Sequence, residues 1–316
     1  MRTNRWLARA AAILLLAAGA VFAPAGPASA AGTLYRFWTW NVAGAKEGLA
    51  YGSTTNGMIT AAANSIAYRA DFAVVNEICQ SQYNALIAEL RELGFPEDPS
   101  NFARFTPATP KGPCAAGEAK GAFGNAIFSR YRLDDAQRWT LTGDTTGEIH
   151  TLTCVNPEGK PQLRFCGTHI TSKGTRDANN VFYSRHQLED VYDRLEAFNT
   201  AGHTAVLAGD LNAQPQYERL DFFGGYHEMD NADDANCRGY GEWTATQPNI
   251  ANPTPCGASL TKVDHIFARK NRITGAYTAD VLGLALTCTG VPATADYKAG
   301  ACSDHRILVG HAYLGV

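Results

Sequence analysis

The chain has 316 residues, 45% hydrophobic and 18% charged, with 27 Lys and Arg against 30 Asp and Glu for a formal net charge of −3. That length is large for one domain but suits a two-sheet α/β or α+β fold with a sizeable core, and no internal repeat, charge block or low-complexity linker divides it. An acidic chain is a poor candidate for tight, non-specific binding to a polyanion, since Lys and Arg carry that affinity, yet it can still handle a few phosphates at a metal site.

The chain opens with Arg2, Arg5 and Arg9, an apolar run from Ala10 to Ala23, and a small-x-small site at Ala28-Ser29-Ala30. This predicts a removable secretory signal over residues 1–30, leaving one domain over 31–316. Its loss takes the net charge to −6 through the three arginines. No later run approaches the ~20 apolar residues of a spanning helix, so the expectation is an extracellular, soluble monomer without a stable membrane anchor. The eight cysteines, at 79, 114, 154, 166, 237, 256, 288 and 302, all lie beyond the signal. An even count in an exported chain implies disulfides. Their order suggests four local bridges, Cys79–Cys114, Cys154–Cys166, Cys237–Cys256 and Cys288–Cys302.

Leu34 to Trp40 is an aromatic strand pattern ending at Asn41, and Gly57 to Tyr68 has helical spacing of Ile59, Ala62, Ala63 and Ile66. A strand follows from Asp71 to Glu77. The next expected helix, capped by Ser81, carries Tyr83, Leu86, Ile87 and Leu90 and stops near Gly94. Residues 97–120 read as a loop pinned by Cys114. Strands are expected over Gly124–Arg130, near 137–142 and 148–155, and over Leu163–His169, with Cys154 and Cys166 stapling a hairpin. A long amphipathic helix is predicted from about Ala178 to Phe198. It leads into Thr204–Gly209, an apolar strand that ends by presenting Asp210 and Asn212. Residues 216–261 read as an elaborated loop region, Lys262–Ala268 as a strand, and Arg306–Tyr313 as the last strand.

Asn41, Glu77, His169, Asp210, Asn212, Asp264, Asp304 and His305 all fall at or beside predicted strand ends. For any one of them a cap, turn or satisfied core role is the plainer reading; eight together argue for a site. Two unit charges about 4 Å apart repel by about 4 kcal/mol at an effective dielectric near 20, so gathered carboxylates call for a cation or shifted protonation. Hard oxygen donors favour Mg²⁺, with Mn²⁺ or Ca²⁺ as alternatives, over Zn²⁺. Two histidines add groups that move protons near neutrality.

The ordered stretches Thr39-Trp-Asn41, Val75-Asn-Glu77, Gly124-Asn-Ala-Ile-Phe-Ser-Arg130, Gly167-Thr-His169, Gly209-Asp-Leu-Asn212, Val263-Asp-His-Ile-Phe267 and Ser303-Asp-His305 resemble the endonuclease/exonuclease/phosphatase superfamily, the DNase I-like fold. The resemblance implies a four-layered α/β/β/α sandwich with the site at one edge. It implies that Asn41, Glu77 and Asp304 hold the metal, that Asp210 positions or activates water, and that Asn212 contacts phosphate. His305, oriented by Asp264, would bind or protonate phosphate oxygens, with His169 on the other side of the displacement. Relatives pair the histidine at the position of His169 with a carboxylate, for which Glu118 is the candidate here.

The implied activity is a secreted, metal-dependent phosphodiesterase acting as a nuclease on DNA or RNA. Lys173 and Arg176, with Arg130 and Arg132, are candidates to meet the phosphate backbone of this nucleic-acid substrate. The alternatives are a phospholipase C or sphingomyelinase-like activity, which would want exposed aromatics such as Trp139 or Trp243, a sugar or inositol phosphate phosphatase, and a catalytically silent binding module.

Overall fold

The computed structural model describes residues 32–46, 49, 51–109, 114, 121–134, 136–214, 218–232, 241–246, 260–282, 287–293 and 298–316. The first strand, β1 (Thr33–Asn41), shows why the chain forms layers. Its side chains alternate across the sheet. Tyr35 and Phe37 enter the core between two sheets, while Trp38 and Trp40 face two helices on the opposite side. Those helices are α1 (Met58–Arg69) and α2 (Gln80–Glu92), which bury Met58, Ile59, Ala62, Ala63 and Ile66, and Tyr83, Leu86, Ile87 and Leu90 against the sheet. Between them runs β2 (Phe72–Cys79), parallel to β1.

The chain then forms β3 (Ala103–Thr109), β4 (Phe123–Ser129), β5 (Gln137–Thr140), β6 (Thr151–Val155) and β7 (Leu163–His169). Helix α3 (Tyr183–Thr200) and strand β8 (Thr204–Asp210) follow, β8 lying parallel to β7. The remaining strands are β9 (Tyr226–Glu228), β10 (Ala245–Thr246), β11 (Leu260–Thr261), β12 (Asp264–Arg269), β13 (Ile273–Val281) and β14 (Leu308–Leu314). One six-stranded sheet has the order β13-β14-β1-β2-β4-β3 and the other β5-β6-β7-β8-β12-β9. Leu188, Val191 and Leu195 of α3 cover the second sheet. The result is the expected α/β/β/α sandwich, of the α+β class.

The sheets meet through aromatic rings: Phe165 of β7 lies 5.8 Å from Phe37 and 5.0 Å from Phe72, centroid to centroid. Nearer the end of β7 the sheets come closer still. A Cβ on Gly167 would stand 2.9 Å from Val74 Cγ2, so only glycine fits without displacement.

Three disulfides match the expected pairs, Cys79–Cys114, Cys154–Cys166 and Cys288–Cys302. Cys237 and Cys256 lie outside the described residues. Several elements differ from expectation. The supposed loop over 97–120 contains β3, whose Pro107 is tolerated because β3 is an edge strand. Strand β13 is not expected from the sequence, because its exposure does not alternate cleanly. Helix α2 starts at Gln80, with Cys79 N–H donating to Gln82 Oε1 at 3.0 Å, so Ser81 is not the cap. Helix α3 begins at Tyr183 rather than Ala178, because Asp177 Oδ1 accepts from the N–H groups of Asn179 and Val181, both at 2.8 Å, and holds that segment in a turn.

Candidate active site

Each sheet has a parallel pair at its centre, β1 with β2 and β7 with β8, and each pair ends in polar residues: Asn41 opposite Asn76, and His169 opposite Asp210. The antiparallel neighbours begin at that same edge. Asp264 opens β12 directly across from Asp210, and Ser303-Asp304-His305 lead into β14, whose Leu308 pairs with Thr39. Strand direction alone therefore collects residues far apart in sequence at one edge.

On one side, His305 Nδ1 donates to Asp264 Oδ2 at 2.8 Å and Nε2 lies 3.7 Å from Asp210 Oδ2. Burial alone would favour the neutral ring, but the two carboxylates outweigh it and push the His305 pKa up to about 10. Asp264 is the mirror case: burial raises its pKa, and the neighbouring imidazolium more than offsets this and holds it below the usual carboxylate value. Asp210 is pushed up, first by burial and then by the charge of Asp264. The backbone here is pinned. Trp40 Nε1 donates to His305 O at 3.0 Å, Ser303 Oγ donates to Asn41 O at 2.6 Å, and Thr244 Oγ accepts from Asp264 N–H at 3.0 Å.

On the other side, His169 Nε2 accepts from Asn212 Nδ2 at 3.2 Å and lies 3.7 Å from both Glu77 Oε1 and Asp210 Oδ2. An accepting Nε2 puts the ring proton on Nδ1. The carboxylate facing Nδ1 is Glu148, at 4.0 Å. Behind them His150 places Nδ1 2.9 Å from His169 O and Nε2 3.5 Å from Asp144 Oδ2. Glu118, the sequence candidate for this role, is outside the described residues. Glu148 lies in a loop, and nothing in its local sequence marks it.

Between the two sides, Asn41 Nδ2 bridges Glu77 Oε1 at 2.9 Å and Asp210 Oδ2 at 3.0 Å, and its Oδ1 accepts from Ala43 N–H. Asn76, hidden in an apolar run, ties the sheets together: its Nδ2 donates to Thr168 O and Asn125 Oδ1, and its Oδ1 accepts from Asp210 N–H at 2.9 Å. Glu77 adopts φ +55 where the register of β2 against β4 shifts, a bulge that re-aims its side chain. Such a conformation costs on the order of 1–3 kcal/mol in a non-glycine residue. Hydrogen bonds from Gly44 N–H to Glu77 O and from Glu77 N–H to Asn125 Oδ1 hold it there.

The donor set suits a hard divalent cation: the carboxylates of Glu77, Asp210 and Asp264 stand at one edge, linked through Asn41 and His305, and offer oxygen ligands. Among the described residues, ligand atoms of Asp210, Asp264 and His305 come within 4.8 Å of one another. Within that trio His305 Nδ1 already donates to Asp264 Oδ2, which suits it to acid–base work. Asp304 points to Lys46, Oδ2 to Nζ 2.7 Å.

Lys173 is exposed just beyond the cleft, while Arg176 donates to Asn180 O and stacks 3.5 Å over Phe182, bracing its own loop. Arg130 and Arg132 do not reach the cleft. They follow Ser129, which pairs with Phe72 at the opposite end of β2; Arg130 bonds Ala67 O and Arg132 pairs with Glu158.

Fold and site together define a DNase I-like phosphoester hydrolase. The sequence profile of the endonuclease/exonuclease/phosphatase family matches residues 38–305, and the chain belongs to that family. No curated protein sequence matches it. Among solved structures it is similar to an endonuclease/exonuclease/phosphatase from Beutenbergia cavernae (18% identity, TM-score 0.61, covering 89% of this chain and 72% of that one). It is also similar to the human Nocturnin catalytic domain with bound sulfate (19%, 0.62, 89% and 94%) and to the mannosyl-6-phosphatase Bt3783 of Bacteroides thetaiotaomicron (14%, 0.59, 87% and 98%).

Proposed function

We propose that this protein is a secreted, divalent-metal-dependent phosphodiesterase that acts as a nuclease on DNA or RNA. The observation that carries the reading is the placement of two histidines on opposite sides of one carboxylate cleft, His305 clamped by Asp264, and His169 accepting at Nε2 beside Asp210. A displacement at phosphorus needs a proton removed from the attacking water on one face and negative charge met on the other. Asp210, with its raised pKa, orients the water and receives its proton. His305 donates to a phosphate oxygen, and Asn212, whose amide donates to His169 Nε2 and Ile170 O, fixes the His169 ring on the other side. Glu77 and Asp304 would hold the cation, with Asn41 positioning Glu77. When bound, the ion supplies Lewis-acid polarisation of the phosphoryl group.

Lys173 supports a substrate that extends past the cleft as a polyanion. Trp139 and Trp243 are partly buried and covered by Arg194 and Arg306, which does not favour the lipid-directed alternative. Three disulfides, and no helix among the described residues long and apolar enough to cross a membrane, support secretion after loss of residues 1–30.

The test is incubation of the purified protein, with Mg²⁺ or EDTA, with plasmid DNA, RNA, sphingomyelin and a sugar phosphate. EDTA-sensitive nicking of plasmid or cleavage of RNA is expected. Turnover of only the lipid or only the monoester would replace the nuclease reading, and silence on all four would favour a binding module.

A further inference from the structure

Lys46 and Asp304 face each other across the mouth of the cleft, and neither has a role in the chemistry assigned above to the histidines. Their backbones are fixed. Val42 and Gly44 N–H groups donate to Asn76 O and Glu77 O, and Lys46 N–H donates to Ala43 O. Ser303 closes onto Asn41 O, and His305 N–H donates to Ser303 Oγ. The two side chains lie 2.7 Å apart, with Lys46 47% and Asp304 19% exposed. An ion pair open to water at its lysine end contributes little net stability. It nevertheless places a tethered ammonium against one of the carboxylates proposed to bind the cation.

We propose, building on the metal-dependent reading above, that Lys46 is a built-in monovalent stand-in: its ammonium holds Asp304 until a divalent ion enters, then turns to a phosphate oxygen of the substrate. The reasoning is one of charge. Glu77, Asp210, Asp264 and Asp304 stand at one edge, where His305 lies against Asp210 and Asp264 and Lys46 lies against Asp304. A fourth carboxylate without a cation adds repulsion that the ammonium relieves. A divalent ion at the same edge competes with Lys46 for Asp304. A phosphate arriving beside that ion then supplies the new negative partner within reach of the lysine stem. Lys46 thus opposes cation binding in the free protein and assists phosphate binding in the loaded one.

The test is calorimetric titration of the metal-free protein with Mn²⁺ in the absence of substrate. Lys46→Met should bind Mn²⁺ about three- to tenfold more tightly than wild type, the size expected of one nearby charge at a dielectric close to that of water. In an Asp304→Asn background the same substitution should change affinity by less than about twofold, since the coupling runs through that carboxylate. With Mn²⁺ saturating, Lys46→Met should weaken inorganic phosphate binding about tenfold, and Lys46→Arg should restore most of it. Unchanged Mn²⁺ affinity in Lys46→Met overturns the stand-in while leaving the hydrolase reading intact. An equal gain in the Asp304→Asn background overturns the partner assignment, and unchanged phosphate affinity overturns the second half of the exchange. Absence of Mn²⁺ binding by any of the proteins removes the metal-dependent reading and this proposal together.

Discussion

The two sides of the cleft hold a histidine in different ways. His305 is gripped: a 2.8 Å bond to a fully buried carboxylate, a second carboxylate 3.7 Å away, and a carbonyl pinned by Trp40. His169 is only bracketed, with Asn212 at 3.2 Å, Glu77 and Asp210 at 3.7 Å and Glu148 at 4.0 Å. A gripped ring is preorganised in one protonation state, whereas a bracketed ring can adjust as a substrate arrives. The difference points to electrostatic stabilisation on the His305 side and to proton movement or phosphate contact on the His169 side.

The largest effect that would sharpen this contrast is on turnover. His305→Ala should lower kcat by about 10³–10⁴-fold, and His169→Ala by about 10²-fold, at saturating substrate. A reversed order would break the comparison. Next come the disulfides. Cys154–Cys166 and Cys288–Cys302 close loops of similar separation, 12 and 14 residues, so removing either should cost about 3 kcal/mol in urea unfolding. Only the second abuts Ser303-Asp304-His305, so the Cys288→Ala/Cys302→Ala variant should also lose turnover at temperatures where both variants remain folded.

Glu148→Gln should reduce turnover by about tenfold, the scale of a group that orients another. Glu148→Asp should recover part of the loss, and an unaltered pH–rate profile in Glu148→Gln would remove Glu148 from the site. The smallest effect is on pH dependence of stability. The His305 pKa is raised, so its ion pairs contribute fully below its ordinary value near 6.5 and are lost as pH climbs through about 10. In EDTA, the urea midpoint of wild type relative to His305→Gln should fall across that window; a constant difference would contradict the grip.

The eight strand-end residues were legible because a strand that ends in Asn, Glu, His or Asp after an apolar run interrupts a pattern. Their gathering follows from two parallel pairs pointing the same way, which the helices between the strands imply. Asn76 was not legible as a sheet-to-sheet clip, because one amide inside Phe-Ala-Val-Val-Asn-Glu reads as the approach to Glu77. Glu148 and Lys46 lie in loops, and only tertiary packing brings them to His169 and Asp304. Strand β13 escaped notice because an edge strand with one wet face leaves weak periodicity.

Gly167 touches no substrate, yet it sits two residues before His169 on the face turned toward Val74 and Ile127. The chain works as a pair of jaws whose gap is set at that point by a missing methyl group. Any larger residue there becomes a wedge, prying the His169 jaw from the Glu77 jaw by a few tenths of an ångström while the core on either side stays filled. A mutation deep in the sandwich would then register first as a fault of catalysis and only later as a fault of folding.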